Sequence, residues 1–198
     1  MAFTDFKSIM QVQEAYGIQY TQADYIQYAD IEPSPAFLEE FTFSQRYINV
    51  FASEAARCEN VIYPILREVY KKYADCFTLW SHQSISCDTE LSGTPDYLIS
   101  TKSALGKTVL GSPIIVVVEA KRSDFIGGWG QCLAELVAAQ RINNDTAISV
   151  YGIVTDGALW EFGKLEENLF TQNEIVLAVS DLKKVFGAIG YLMHAGRK

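Results

Sequence analysis

A chain of 198 residues with 49% hydrophobic side chains, 24 acids against 16 bases and a net charge of −8 is neither disordered nor fibrous, and it can bury one substantial core. Its longest aliphatic run, Ile114 to Val118, falls far short of the roughly 20 residues that span a membrane. The opening MAFTDFKSIM lacks the basic start and apolar stretch of a signal peptide, so a cytoplasmic protein with no membrane contact is expected.

The charge is unevenly spread. Residues 1 to 40 hold seven acids (Asp5, Glu14, Asp24, Asp30, Glu32, Glu39, Glu40) and one base, Lys7, so they carry −6 of the −8 and leave a nearly neutral body. Phe6, Ile9, Met10 and Gln13 give a weak helical pattern, and YTQADYIQYADIEP, which follows, has no clear period. The first 33 residues read as an appendage. Ser34-Pro35 supplies an N-cap and first-turn proline for a helix over Phe37 to about Asn49. Residues 1–52 are therefore expected to form an acidic, mainly helical extension that a basic protein could contact, and 53–198 the main domain.

The next helix starts near Ser53 and carries Val61, Ile62, Ile65, Leu66, Val69 and Tyr73 at helical spacing. Pro64 lies inside it and predicts a kink or restart at Asn60–Tyr63. From Phe77 the period shifts toward two, giving strands over Phe77–Ser81, Ile85–Leu91 and, after Gly93-Thr94-Pro95, Asp96–Ser100. Ile114 to Lys121 is the most strand-like segment, with five consecutive β-branched residues suited to a strand covered on both faces. Gly127-Gly128 precedes a helix from Trp129 to about Ile142. A strand over Ser149–Thr155, an Asp156-Gly157 hairpin turn and a return strand from Leu159 come next. One more strand is expected within Leu169–Val179, then a helix capped by Ser180-Asp181 and running to Met193. The fold class is α/β, a mixed central sheet flanked by helices.

Cys58, Cys76, Cys87 and Cys132 form no C-x-x-C pair, and His82 and His194 stand at no metal-ligand spacing to them, so four buried, reduced thiols are expected rather than zinc. Gly106-Lys107-Thr108 ends like a phosphate-binding loop, but Thr101 stands where its first glycine belongs.

One constellation stands out. Pro95-Asp96 opens a strand, and Glu119-Ala120-Lys121 closes the most apolar one. Alternation puts Glu119 and Lys121 on one face, and charged groups ending a buried strand are costly without partners or work. If the two strands pair, three polar groups converge. Two carboxylates suit Mg²⁺, and a lysine supplies positive charge for water and for a developing phosphorane, which together describe phosphodiester hydrolysis.

The strings Gly93-Thr-Pro-Asp-Tyr and Ile-Ile-Val-Val-Val-Glu-Ala-Lys121 resemble the PD-(D/E)XK nuclease superfamily, over roughly residues 53 to 163. The resemblance implies a restriction endonuclease-like α-β-β-β-α-β core and a Mg²⁺-dependent nuclease, with Mn²⁺ as a substitute. By position, Asp96 and Glu119 become the metal ligands and Lys121 the catalytic lysine. Ser53-Glu-Ala-Ala-Arg followed by Ile62-Tyr-Pro-Ile-Leu is similar to the first core helix of nuclease domains in type I restriction subunits, which implies that Glu54 faces the active site. Gln131 matches a glutamine common in the helix after the lysine. Exonuclease-type families place a tyrosine four residues later, where this chain has Glu135.

DNA is the implied substrate, and homodimerisation stays open. Simpler roles stand beside these: Glu54 as a first-turn acid favouring the helix dipole, Gln131 bonding a loop, and Arg57 and Arg122 in surface ion pairs. Lys102 and Lys107 could reach a nucleic-acid backbone or be merely solvated, and Trp129 and Trp160 are expected in the core. The alternative function is a nuclease-like fold kept as a non-catalytic binding or regulatory module.

Overall fold

The computed structural model describes residues 2–197. A 3-10 turn (Phe3–Asp5) leads into helix α1 (Ile9–Tyr16), capped by Ser8 and stopped at Gly17, whose φ of +68° ends it in the left-handed region glycine tolerates. Strand β1 (Gln19–Ala23) follows, then α2 (Pro35–Tyr47), whose Ser34 cap and first-turn proline are as expected. Helix α3 (Glu54–Arg57) runs without a break through a π-turn (Cys58–Ile62) into α4 (Tyr63–Tyr70). The wide turn coincides with the kink expected at Asn60–Tyr63. Pro64 has no N–H to give the Asn60 carbonyl, so the ladder widens and Tyr63 N–H reaches back five residues to Cys58.

Strands β2 (Phe77–Ser81), β3 (Ile85–Ser86), β4 (Ser92–Gly93), β5 (Tyr97–Thr101) and β6 (Ile114–Ala120) precede helix α5 (Phe125–Asn143). Then come β7 (Val150–Thr155), β8 (Leu159–Glu166), β9 (Leu169–Asn173), β10 (Leu177–Ala178) and α6 (Leu182–Ala195), capped by Asp181. The main sheet runs β1-β9-β8-β7-β6-β5-β2, with β10 added on β8. β2, β5 and β6 form an antiparallel meander, and α5 crosses over to place β7 parallel to β6. β7 and β8 form the Asp156-Gly157 hairpin; Asp156 Oδ1 accepts the Ala158 and Leu159 N–H groups, and Gly157 takes the positive φ. The observed architecture is the expected mixed sheet flanked by helices.

Two expected strands are shorter. Of Ile85–Leu91 only Ile85 and Ser86 pair as a strand, with Gly93 and Ser92 in the small β3–β4 sheet, because Asp88 Oδ1 accepts the Glu90 and Leu91 N–H groups and turns the chain. Leu169–Val179 breaks after Asn173, whose side chain accepts from Tyr25 N–H and donates to Ile175 O. Helix α5 begins four residues before Trp129, because Asp124 caps the N–H of Gly127. Of the cysteines, Cys58 and Cys132 are buried and free as expected, but Cys76 is exposed and Cys87 partly so.

The N-terminal segment is no appendage. β1 extends the sheet beside β9 in parallel, register Gln19↔Leu169, and Phe3, Phe6 and Val12 are core residues packed with α5. Helix α5 is thus covered by the sheet on one side and by this segment on the other, which is why Gly128 through Gln140 are all buried. At Gly130 the two backbones touch: a Cβ there would lie 2.4 Å from Ser8 N and 2.9 Å from Phe6 O. Gly130→Leu is therefore expected to destabilise the fold by at least ~2 kcal/mol, seen as a lower urea midpoint, since backbone cannot yield as a side chain would. Among the described residues, no helix is long and apolar enough to cross a membrane.

Candidate active site at the ends of β5 and β6

Tyr97 pairs with Val118 across β5 and β6, so Asp96, just before β5, sits beside Glu119. Asp96 Oδ2 accepts the Ala120 N–H at 2.7 Å and pins the two strand ends together. Beyond β6, Lys121 N–H bonds Thr155 O at 2.8 Å, fixing the main chain where its side chain departs. Val117, Glu119 and Lys121 alternate onto the face toward α5: Val117 shares the α5-side core, and a Cβ on Gly128 of α5 would lie 3.0 Å from Lys121 Cγ. The sequence-derived trio is thus brought together.

Its electrostatics are under tension. Glu119 is 2% exposed, with Oε1 2.5 Å from Lys121 Nζ and Oε2 buried without a hydrogen-bond partner. Burial first, and the neighbouring Asp96 charge second, push its carboxyl up to about 7 against the pull of Lys121. Asp96 is also raised, by burial, against the opposing Ala120 N–H, Lys121 and His82. Burial works against the Lys121 ammonium, yet Glu119 outweighs it and holds the lysine above its ordinary range. Lys121 is therefore a cation throughout the neutral range.

Asp96 also lines a cleft of about 570 Å³, whose walls do not include Glu119 or Lys121. The helical wall, from α3 and the π-turn, presents Glu54, Cys58 and Glu59; the strand wall presents Ser81, His82, Asp96 and Tyr97. Every lining residue comes from position 54 or later, so the acidic N-terminal segment does not line it. Tyr63 stacks on Tyr97 with centroids 5.8 Å apart, and the His82 ring meets Tyr97 edge-on. His82 Nε2 lies 3.6 Å from Asp96 Oδ1, and its backbone has φ +51°, a strained setting for a non-glycine residue. The sequence held no signal for His82 beyond its place after β2, and neither did it single out Tyr63 or Tyr97.

Glu54 occupies the first turn after the Ser53 cap, where its charge favours the helix dipole. It also lines the cleft and acts on Glu119 and Lys121 through its field. Gln131 is buried on α5 and donates to Glu135 Oε1 at 3.1 Å, so it bonds that acid and not a loop. Arg57 is spent on structure: its guanidinium bonds Asp156 O at 2.7 Å and lies over Phe51. Arg122, Lys102 and Lys107 are exposed and do not line the cleft, while Trp160 and Trp129 belong to the core.

Among the described residues, no group of three or more His, Cys, Asp and Glu side chains forms a ready cage for a metal ion. Asp96 and Glu119 do fit a cation that needs only one or two carboxylates and keeps its waters, as Mg²⁺ does. The support is the unpartnered buried oxygen of Glu119, whose lone pairs have no other taker. The close approach of α5 is part of this geometry. Gly128→Ala would place a Cβ 2.8 Å from Val154 Cγ1 as well as against Lys121, so a stability loss of ~1–3 kcal/mol is expected, with a drop in any activity that needs Lys121 in place. Thermal melts and rates on the same sample check it.

Comparison with known proteins returns no matching family model and no matching curated protein.

Proposed function

We propose that the protein is a Mg²⁺-dependent nuclease that hydrolyses phosphodiester bonds of DNA, built on a restriction endonuclease-like α-β-β-β-α-β core of the PD-(D/E)XK kind. One observation carries the reading: two carboxylates and a lysine meet at the paired ends of β5 and β6, beside a cleft that Asp96 lines, with a buried carboxylate oxygen left unpartnered. A purely structural site would satisfy or omit that oxygen.

Asp96 and Glu119 would hold the metal, which supplies a more acidic water and charge compensation for the phosphoryl oxygens. Lys121, charged at neutral pH, orients the attacking water and stabilises negative charge developing on the scissile phosphate. Water is the nucleophile, so no covalent enzyme intermediate forms. Glu54 adds negative charge at the cleft wall, which favours a cation within it. Gln131 supports the floor from α5. The cleft lining contains no Lys or Arg, so substrate affinity depends on the metal more than on salt-sensitive phosphate contacts.

The direct test incubates the protein with plasmid, linear and single-stranded DNA in Mg²⁺ or Mn²⁺, beside Lys121→Ala and an EDTA control. Cleavage by the wild type that falls about 10²–10³-fold in Lys121→Ala supports the reading. Equal cleavage by both proteins overturns it.

A further inference from the structure

Helix α2 carries two aromatic stripes. Phe37 and Phe41 form the inner one: Phe37 is buried, stacks on Phe41 with ring centroids 5.2 Å apart, and meets Phe186 of α6 edge-on at 5.2 Å. Phe43 and Tyr47, four residues apart, form the outer one; they are 56% and 66% exposed, with centroids 5.0 Å apart. Single exposed apolar side chains need no explanation, but a helix already packed by one stripe has no internal use for a second aromatic pair facing solvent. The charges beside that pair are also ordered. Glu39 and Arg46, seven residues apart, lie along one flank of the outer stripe; both are exposed, and among the described residues neither forms an ion pair. Glu40, on the other flank, belongs to the groove beneath α2, which Arg67 and Lys71 also line.

We propose that α2 is the seam of a homodimer, packed antiparallel on α2 of a second copy about a two-fold axis near Phe43. In that arrangement Phe43 meets the partner's Phe43, and Glu39 stands across from the partner's Arg46 on the same flank, so the two-fold axis forms the ion pair twice. A second copy fits this face better than a separate basic protein does, because a basic surface would set like charge against Arg46. The helix is 13 residues long, so the contact sits at the low end of specific interfaces, below about 1,200 Å², and the dimer is concentration-dependent. Glu59 lines both the groove beneath α2 and the cleft at Asp96, while no residue of α2 lines that cleft. The seam therefore runs beside the cleft, and the dimer does not depend on the nuclease reading.

Sedimentation velocity of the full chain over a range of concentrations tests it, with thermal melts to confirm folding. Wild type is expected to shift from its 22.1 kDa monomer toward twice that mass as concentration rises. Phe43→Ser removes the central contact and should associate at least ~10-fold more weakly. Glu39→Arg and Arg46→Glu each set like charges against one another across the axis and should each weaken self-association ~10-fold, without touching an aromatic side chain. An equimolar mixture of these two proteins, or both changes in one chain, brings opposite charges together again and should recover wild-type association. Wild type that stays monomeric at every concentration overturns the dimer. Variants that associate as wild type does overturn the α2 seam, and charge-reversed pairs that fail to recover overturn the antiparallel register.

Discussion

Replacing Asp96 by asparagine is expected to abolish Mg²⁺-dependent cleavage, a loss of at least ~10²-fold, without unfolding the protein. The substitution separates two jobs of one side chain. Asn keeps an oxygen for the Ala120 N–H, the 2.7 Å bond that ties β5 to β6, so the strand ends stay paired. It removes the charge that a divalent ion needs and that burial makes unfavourable in the metal-free protein. The melting temperature without metal should therefore equal or exceed that of wild type, while the Mg²⁺-induced rise disappears. Cleavage rates and melts with and without Mg²⁺ check both halves. A variant that melts far lower would make Asp96 mainly a structural cap.

Glu119→Gln should change how stability depends on pH. The folded-state carboxyl is raised to about 7 from an ordinary 4.5, chiefly by burial. Between those values the folded protein binds more protons than the unfolded chain, so this group lowers stability as pH rises through the window and its full penalty is present above it. Glutamine has no such term. Wild type should lose stability relative to Glu119→Gln from pH 5 to pH 8 by an amount on the order of 1–3 kcal/mol. Lys121 loses its partner in the variant, but it is charged throughout this window and does not alter the slope. Mg²⁺ favours ionised Glu119, so in the wild type its stabilising effect should be larger at pH 8 than at pH 5.5. Urea titrations at three pH values read the result. Parallel pH profiles for the two proteins would contradict it.

The central sheet was legible because its strands carry strong local signals. Ile114 to Val118 is β-branched throughout, and Asp156-Gly157 demands a hairpin. Order along the chain then put Asp96 beside Glu119, and the register bears that out. The N-terminal segment was misread because Gln19–Ala23 is polar on both faces, as an exposed edge strand is, and its pairing with β9 lies about 150 residues away in sequence. Its burial of α5 depends on Gly130, a glycine that in sequence signals only helix weakness. His82 has no cysteine partner at metal-ligand spacing, and a lone histidine after a strand carries no pattern that would place it beside Asp96. Glu135 was noticed only as a departure from tyrosine, since burial of an acid cannot be read from helical spacing alone.

The uneven negative charge also finds its place. Most of it lies in residues 1–40, and part is neutralised where Lys183 pairs with Glu32. The cleft is lined by residues between positions 54 and 97, none of them from that segment. Its own acids, Glu54, Glu59 and Asp96, repel a phosphate unless a cation is present.

Anomalous diffraction from a Mn²⁺-soaked crystal therefore tests the metal centre most directly. The expected result is a peak about 2.1 Å from oxygens of both Asp96 and Glu119, with Lys121 Nζ withdrawn from Glu119 toward the cleft. Saturating Mn²⁺ that leaves this position empty, with Lys121 still bonded to Glu119, would contradict the account.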